Sequence, residues 1–324
     1  MVPKDVTGRF HQIDLENCQR VIPERVSGLR QNILVVAGCF GQSNNLTRLI
    51  RNNGFLIIDS KDIFTYPHFM LWPRNAFTQI GGMIITRHGV NQLLFAEILK
   101  PFIEKSGGKL DKIKFFENET IANGGNVFVS GNLLVVPTNT ELILPSNYQI
   151  IEMPRPNYER FMIWLNSNRR QMFENRKQQS GADLTTLGLA YNAWALKTFA
   201  AGMPEFRADQ DLFMGLAEDV SGKHILAVDE IYAELFPKEI EAARNKLEVI
   251  LINCVEAAFL GSNFWQGADI ALVTREAPAV KNWLATKVLG KDHVIDFPVN
   301  WVRDEYYGCG FHCLFNTIDL SAFK

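Results

Sequence analysis

Gln79-Ile80-Gly81-Gly82-Met83-Ile84-Ile85-Thr86 decides the fold. Two short runs rich in strand-forming residues meet at a glycine pair, which is the pattern of an antiparallel hairpin with its turn near Gly81-Gly82. A helix is expected next, from about Val90 to Glu104, with Leu93, Leu94, Ile98 and Leu99 directed inward. Another strand follows near Ile113 to Phe116. One unit therefore reads strand, strand, helix, strand.

Working outward, the same grammar returns. Upstream, the apolar run Asn32 to Ala37, closed by Gly38, reads as a buried strand. Asn44-Asn45 caps a helix carrying Leu46, Leu49 and Ile50, and Phe55 to Ile58 is a second strand. Between it and the hairpin lies Tyr66 to Phe77, too dense in aromatics and proline for a regular helix. Downstream, Asn123-Gly124-Gly125-Asn126 opens onto two strands, Val127 to Ser130 and Leu133 to Val136, about a Gly-Asn turn. Tyr158 to Gln179 is strongly helical, with a basic face. Ala208 to Leu216 leads through a polar turn, Asp219 to Lys223, into a strand from His224 to Val228. Phe264-Trp265 and Ile270 to Val273 then precede a helix of about Ala277 to Leu289 and a strand from Val294 to Phe297. Hairpin-plus-helix units of ~40 to 70 residues argue for an internally repeated α/β domain rather than an alternating parallel sheet. Neither a linker nor a low-complexity stretch interrupts them, so residues 1–324 read as one domain, with 1–30 as an N-terminal extension.

Composition sets the class. With 324 residues, 47% hydrophobic and 21% charged, the chain has enough apolar surface for a large core. A net charge of -2 and a pI near 6.3 leave no electrostatic footprint for nucleic acid or an anionic membrane. Five cysteines, at 18, 39, 254, 309 and 313, form neither a disulfide framework nor a zinc pattern, which points to a reducing, cytoplasmic setting. The first residues hold no apolar signal-peptide core, and no window approaches the ~20 apolar residues of a membrane helix. No metal or cofactor is called for, and a homo-oligomer is left open.

The chemistry is expected at Gly308-Cys309-Gly310-Phe311-His312-Cys313-Leu314. A thiol is a useful nucleophile only as thiolate, so a site at Cys313 must depress its pKa or let a cationic substrate do so. Small residues such as Gly310 let the backbone approach a ligand, while the following strand holds the cysteine. His312, adjacent to Cys313, faces the other side in a strand and does not activate it directly.

Taken together, several features resemble the pentein superfamily, the group of arginine and agmatine deiminases, dimethylarginine dimethylaminohydrolase and arginine:glycine amidinotransferase. They are the Arg74-Asn75 pair before one hairpin, Gly-Gly-Asn before the next, the run Asp209-Gln210-Asp211-Leu212-Phe213-Met214, and the terminal Gly-x-Gly-x-His-Cys. The resemblance implies a five-bladed α/β propeller of ββαβ-type units around a central cavity. It also implies a cysteine that attacks a guanidinium carbon to give a covalent thiouronium intermediate. The departures are as definite. Asn75 stands where a carboxylate normally follows the arginine, Asn123 where the family has glutamate, and Asp209 where its His-x-Asp begins.

Asp209 and Asp211, two apart on an expected strand, would face one side and hold a flat cation between them. Arg74, Asn75, Asn123, Asn126 and Gly310 are the remaining substrate-binding candidates, and Trp72 offers a stacking face to a planar cation. For proton transfer, either Asp209 acts with a raised pKa or a histidine arrives from elsewhere, with His224 the candidate. The substrate expected is a small guanidino or amidine compound, handled by a hydrolase or an amidinotransferase. Two alternatives remain: an altered, less cationic substrate, since three asparagines replace charge recognition by amide hydrogen bonding, or a non-catalytic relative that binds a ligand or protein partner.

Overall fold

The computed structural model describes residues 32–36, 56–71, 73–130, 132–141, 148–156, 210, 213–219, 221–252, 264–267, 270–274, 278–288, 294–297 and 315–324. Among them fifteen strands form five three-stranded sheets. The deciding stretch builds the second sheet. β3 (Phe77–Ile80) and β4 (Met83–Thr86) are joined by the two-residue turn Gly81-Gly82, with Gly81 at φ 56°, a conformation that favours glycine. A Cβ at Gly81 would also run into the Tyr148 hydroxyl. The crossover helix Gln92–Lys105, capped by the Asn91 side chain on Leu94 N–H, returns the chain to β5 (Lys114–Glu117), which pairs parallel to β4.

The third, fourth and fifth sheets repeat this strand order. An antiparallel hairpin comes first, and a third strand pairs parallel with the hairpin's second strand. β6 (Phe128–Ser130), β7 (Leu133–Pro137) and β8 (Gln149–Met153) make the third sheet; β9 (Met214–Glu218), β10 (His224–Asp229) and β11 (Glu248–Ile252) make the fourth. β12 (Phe264–Gly267), β13 (Ile270–Thr274) and β14 (Val294–Phe297) make the fifth. In the first sheet, β1 (Asn32–Val36) and β2 (Leu56–Asp59) are parallel, and the antiparallel partner of β1 is β15 (Phe315–Asp319) from the far end of the chain. The last strand thus completes the first sheet.

The middle strands β4, β7 and β10 are apolar on both faces because each lies between two neighbouring sheets. Leu133 and Val135 of β7 pack with Met214, Leu226 and Val228 of the fourth sheet, while Leu134 and Val136 pack with Ile80 and Ile85 of the second. β10 divides likewise: Leu226 and Val228 face the third sheet, Ile225 and Ala227 face Ala271 and Val294 of the fifth. Phe77, Ile84, Phe95 and Leu99 meet Val35, Ile58 and Ile318 between the first and second sheets. Sheets therefore stack in chain order. Period-2 alternation is hidden because both parities are buried.

Three sequence expectations change. Leu93 is exposed rather than directed inward, and the buried residues of its helix are Phe95, Leu99 and Ile103. Tyr66 to Phe77 does contain short helical turns, Pro67–Leu71 and the 3-10 turn Pro73–Asn75, each opened by a proline where its missing N–H costs nothing. Gln210 is not in a strand; its carbonyl accepts the Phe213 N–H at 2.9 Å in a 3-10 turn, and β9 begins only at Met214. The expected helices at 44–54 and 158–179 lie outside the described residues. Among the described residues, no helix is long and apolar enough to cross a membrane.

Candidate functional site

Four strands, β15, β3, β6 and β9, run side by side in the same sense. Asn316 near the start of β15 bonds Pro73 and Phe77 at the start of β3, whereas Asp319 at its end bonds Gln79. At the far ends of β6 and β9, the Ser130 hydroxyl donates to Glu218 Oε2 at 2.8 Å. The turns that lead into these strands are consequently gathered at one end of the stack, and they carry the motif residues: Arg74-Asn75 before β3, Asn123 to Asn126 before β6, and Gln210 before β9.

Arg74 is the hub of this end. Its Nη2 donates to the Val127 carbonyl at 3.1 Å and its Nη1 to Asn316 Oδ1 at 3.4 Å, so one guanidinium touches the starts of β6 and β15 from the lead-in of β3. Asn316, buried, turns its Nδ2 to the carbonyls of Pro73 at 3.1 Å and Phe77 at 2.7 Å. Gly124 is explained by the same hub. A Cβ there would fall on the Arg74 carbonyl oxygen and on its Cγ and Cδ. Two of the Arg74 donors thus hold a protein amide oxygen and a protein carbonyl oxygen.

Asn123 shapes its own turn, its Oδ1 accepting Gly125 N–H at 3.3 Å and its carbonyl accepting Asn126 N–H at 2.8 Å. Asn126 is buried, and its Oδ1 has no hydrogen-bond partner. Asn75 ends the 3-10 turn, half-buried, directly beside Arg74. The loop that delivers Asn123 and Asn126 is pinned from outside by Glu119. Its carboxylate accepts Arg87 Nε at 2.8 Å and the His88 N–H. Slight burial would raise the Glu119 pKa, but these two donors outweigh it and hold the carboxyl below its usual range.

Gln210 is fully buried, and its Nε2 donates to the carbonyl of Met153 at the end of β8, the third strand of the neighbouring sheet. His224 is elsewhere. The register sets it opposite Glu218, while Val228 is opposite Met214, so His224 stands at the end of the fourth sheet remote from Gln210. Four residues of strand separate the two ends, roughly 14 Å. Cys313, Asp209, Asp211, Trp72 and Gly310 lie outside the described residues.

Asn316, Gln210 and Gln79 were not singled out from the sequence. Asn316 and Gln79 are uncharged amides at strand positions among apolar residues, as in Phe315-Asn316-Thr317-Ile318, and that is the signal that marks such a fastener; Gln210, between Asp209 and Asp211, carries no such signal.

No family model and no curated protein matches the sequence. Solved structures with a similar chain path include DDAH from Pseudomonas aeruginosa, a cysteine-to-serine mutant complexed with citrulline. It is 10% identical, covered over 98% of its length by 88% of this chain, at TM-score 0.43. A dimethylarginine dimethylaminohydrolase adduct with 4-chloro-2-hydroxymethylpyridine is 11% identical over 88% of this chain and 99% of that one, at TM-score 0.42. SxtG, an amidinotransferase from Microseira wollei in the saxitoxin biosynthetic pathway, is 11% identical over 86% of this chain and 78% of its own, at TM-score 0.42. At these scores the fold description rests on the chain's own strand order and register.

Proposed function

We propose that the chain is a pentein-type enzyme whose five sheets close into a five-bladed α/β propeller, with one active site at the gathered lead-in turns and Cys313 as nucleophile. The observation that supports this is the common sense of β15 and β3, given by the paired contacts of Asn316 and Asp319 with the start and end of β3, and of β6 and β9, given by Ser130 and Glu218. In sequence, Cys313 precedes β15 by two residues and Asp211 precedes β9 by three, and the proposal takes both to that end.

In this mechanism the Cys313 thiolate attacks the central carbon of a guanidino group seated on Asp211. The tetrahedral adduct collapses to a thiouronium as the C–N bond breaks, and the leaving amine takes a proton from Asp209. Water, or an acceptor amine in a transferase, then adds to the same carbon with Asp209 receiving its proton, and the thiolate departs. Close placement of Asp209 and Asp211 would raise the pKa of one of them, as proton donation requires.

A second reading has a specific support. The buried, unpartnered Oδ1 of Asn126, with Asn75 and Asn123 where the family has carboxylates, suits a donor-rich but less cationic group. A mass-spectrometric screen of guanidino, amidino and ureido compounds for ammonia, amine or urea release decides between them. Turnover of a guanidino compound that disappears in Cys313→Ala supports the first, turnover only of neutral compounds supports the second, and turnover retained without the sulfur overturns both.

A further inference from the structure

We propose that the outer edge of β5 is a dimerisation edge: it takes β5 of a second copy of this chain in antiparallel register and joins the two three-stranded sheets into one. β5 is paired on one side by β4, and among the described residues no strand pairs with its other side. The N–H groups of Lys114 and Asn118 donate to the carbonyls of Gly82 and Thr86 at 3.1 and 3.0 Å, and the Phe116 carbonyl accepts the Thr86 hydroxyl at 3.2 Å. Even-numbered residues thus face β4, which leaves the N–H and C=O of Phe115 and Glu117 on the open side.

An open edge is a template for pairing with another chain unless something guards it. In the third sheet the corresponding strand, β8, is guarded. Lys246 Nζ donates to the Ile150 carbonyl at 2.8 Å, and Ile150 lies on the side of β8 turned away from β7. β5 instead exposes Phe116, 48% accessible, between the exposed charges of Lys114 and Glu117. A phenylalanine left half in water on an unguarded edge is area that a partner strand removes from water.

Charge order names the partner. Lys112 and Lys114 precede Phe116, Glu117 and Glu119 follow it, and all four are exposed. A lysine on an edge ordinarily repels a second copy. Reversal of the strand direction changes that here, because each copy's basic half then runs alongside the other's acidic half, whereas a parallel copy sets lysine beside lysine and glutamate beside glutamate. Two-fold symmetry places one residue opposite itself. With Phe116 at that centre, its ring lies against its own copy at the close, non-hydrogen-bonded position, and Phe115 exchanges both N–H···O bonds with Glu117 of the partner subunit.

Sedimentation velocity of the full chain from about 1 to 200 μM tests the edge, since so short a strand makes a small interface and a dissociation constant of about 10–100 μM is expected. Lys114→Glu and Glu117→Lys, each shown folded by circular dichroism, should separately weaken the dimer by at least about tenfold; an equimolar mixture of the two should restore it, because an acidic strand then meets a basic one. Phe116→Cys tests the register. Non-hydrogen-bonded partners have Cα atoms about 4.5 Å apart, within disulfide range, so glutathione disulfide should link two copies through position 116, as located by peptide mass spectrometry. A wild type that stays monomeric over this range, a dimer untouched by both charge substitutions, or one lost in them and not recovered on mixing overturns the proposal. Cross-links that avoid position 116 overturn the antiparallel register and the proposal with it.

Discussion

Gln79 and Asp319 pair as two peptide groups would. Gln79 Oε1 accepts the Asp319 N–H at 2.7 Å and its Nε2 donates to the Asp319 carbonyl at 3.0 Å, with a second bond to Gly81 O at 2.9 Å. A side chain of β3 thus extends the hydrogen bonding of the first sheet into the second, at the end of β15 opposite the one held by Asn316. Between them, two amides fix how the C-terminal strand sits against the second sheet.

Gln79→Glu tests that link. A carboxylate keeps the bond from Asp319 N–H but turns an acceptor toward two carbonyls, and a cost of about 1–3 kcal/mol is expected in urea unfolding at pH 7. The folded state would then raise the pKa of the introduced carboxyl, since only its acid form donates. Its stability relative to wild type should recover as pH falls toward the ordinary glutamate value near 4.3. A difference independent of pH would contradict the pairing.

Asn316→Leu removes both donors to Pro73 and Phe77 and the acceptor for Arg74, leaving buried polar groups unpaired. Destabilisation of about 3 kcal/mol or more is expected, well above the 0.5–1.5 kcal/mol of a single ordinary hydrogen bond. Equilibrium denaturation measures it, and a loss under about 1 kcal/mol would mean that the hub carries little of the stability.

His68 rests edge-on against Phe69, 5.6 Å between ring centroids. Burial, and next the charge of Arg87, hold its pKa below the usual histidine value, so the fold prefers the neutral ring. The associated stability is present above the unfolded pKa of about 6.5 and declines as pH falls through that value toward the lower folded one. Melting temperatures between pH 7.5 and 5 should therefore fall less in His68→Gln than in wild type; parallel profiles would contradict this.

Much of this architecture is legible in the chain. The glycine pair at 81–82 fixes one hairpin because Gly81 must take a positive φ, and the Val294 to Phe297 strand was readable from its apolar pattern. Less legible was which strand partners which. Nothing local in Phe315 to Asp319 announces that it completes the sheet begun at Asn32, because its partner strand comes from the opposite end of the described chain. The motif residues were found by their positions before hairpins, yet their directions were not. Arg74 turned inward because Gly124 and the Val127 carbonyl make a cradle formed by a different unit, and His224 fell at the end remote from Gln210 because strand register, not sequence proximity to residue 211, determines its place.

The most direct measurement compares alkylation of Cys313 by cationic 2-chloroacetamidine and by neutral 2-chloroacetamide, located by peptide mass spectrometry in wild type and in Asp211→Asn. A cysteine facing paired acids at the gathered turns predicts selective labelling at position 313, at least about tenfold faster with the amidine, with most of that preference lost in the variant. Equal rates for the two reagents, labelling spread over the other cysteines, or a preference untouched by Asp211→Asn would contradict it.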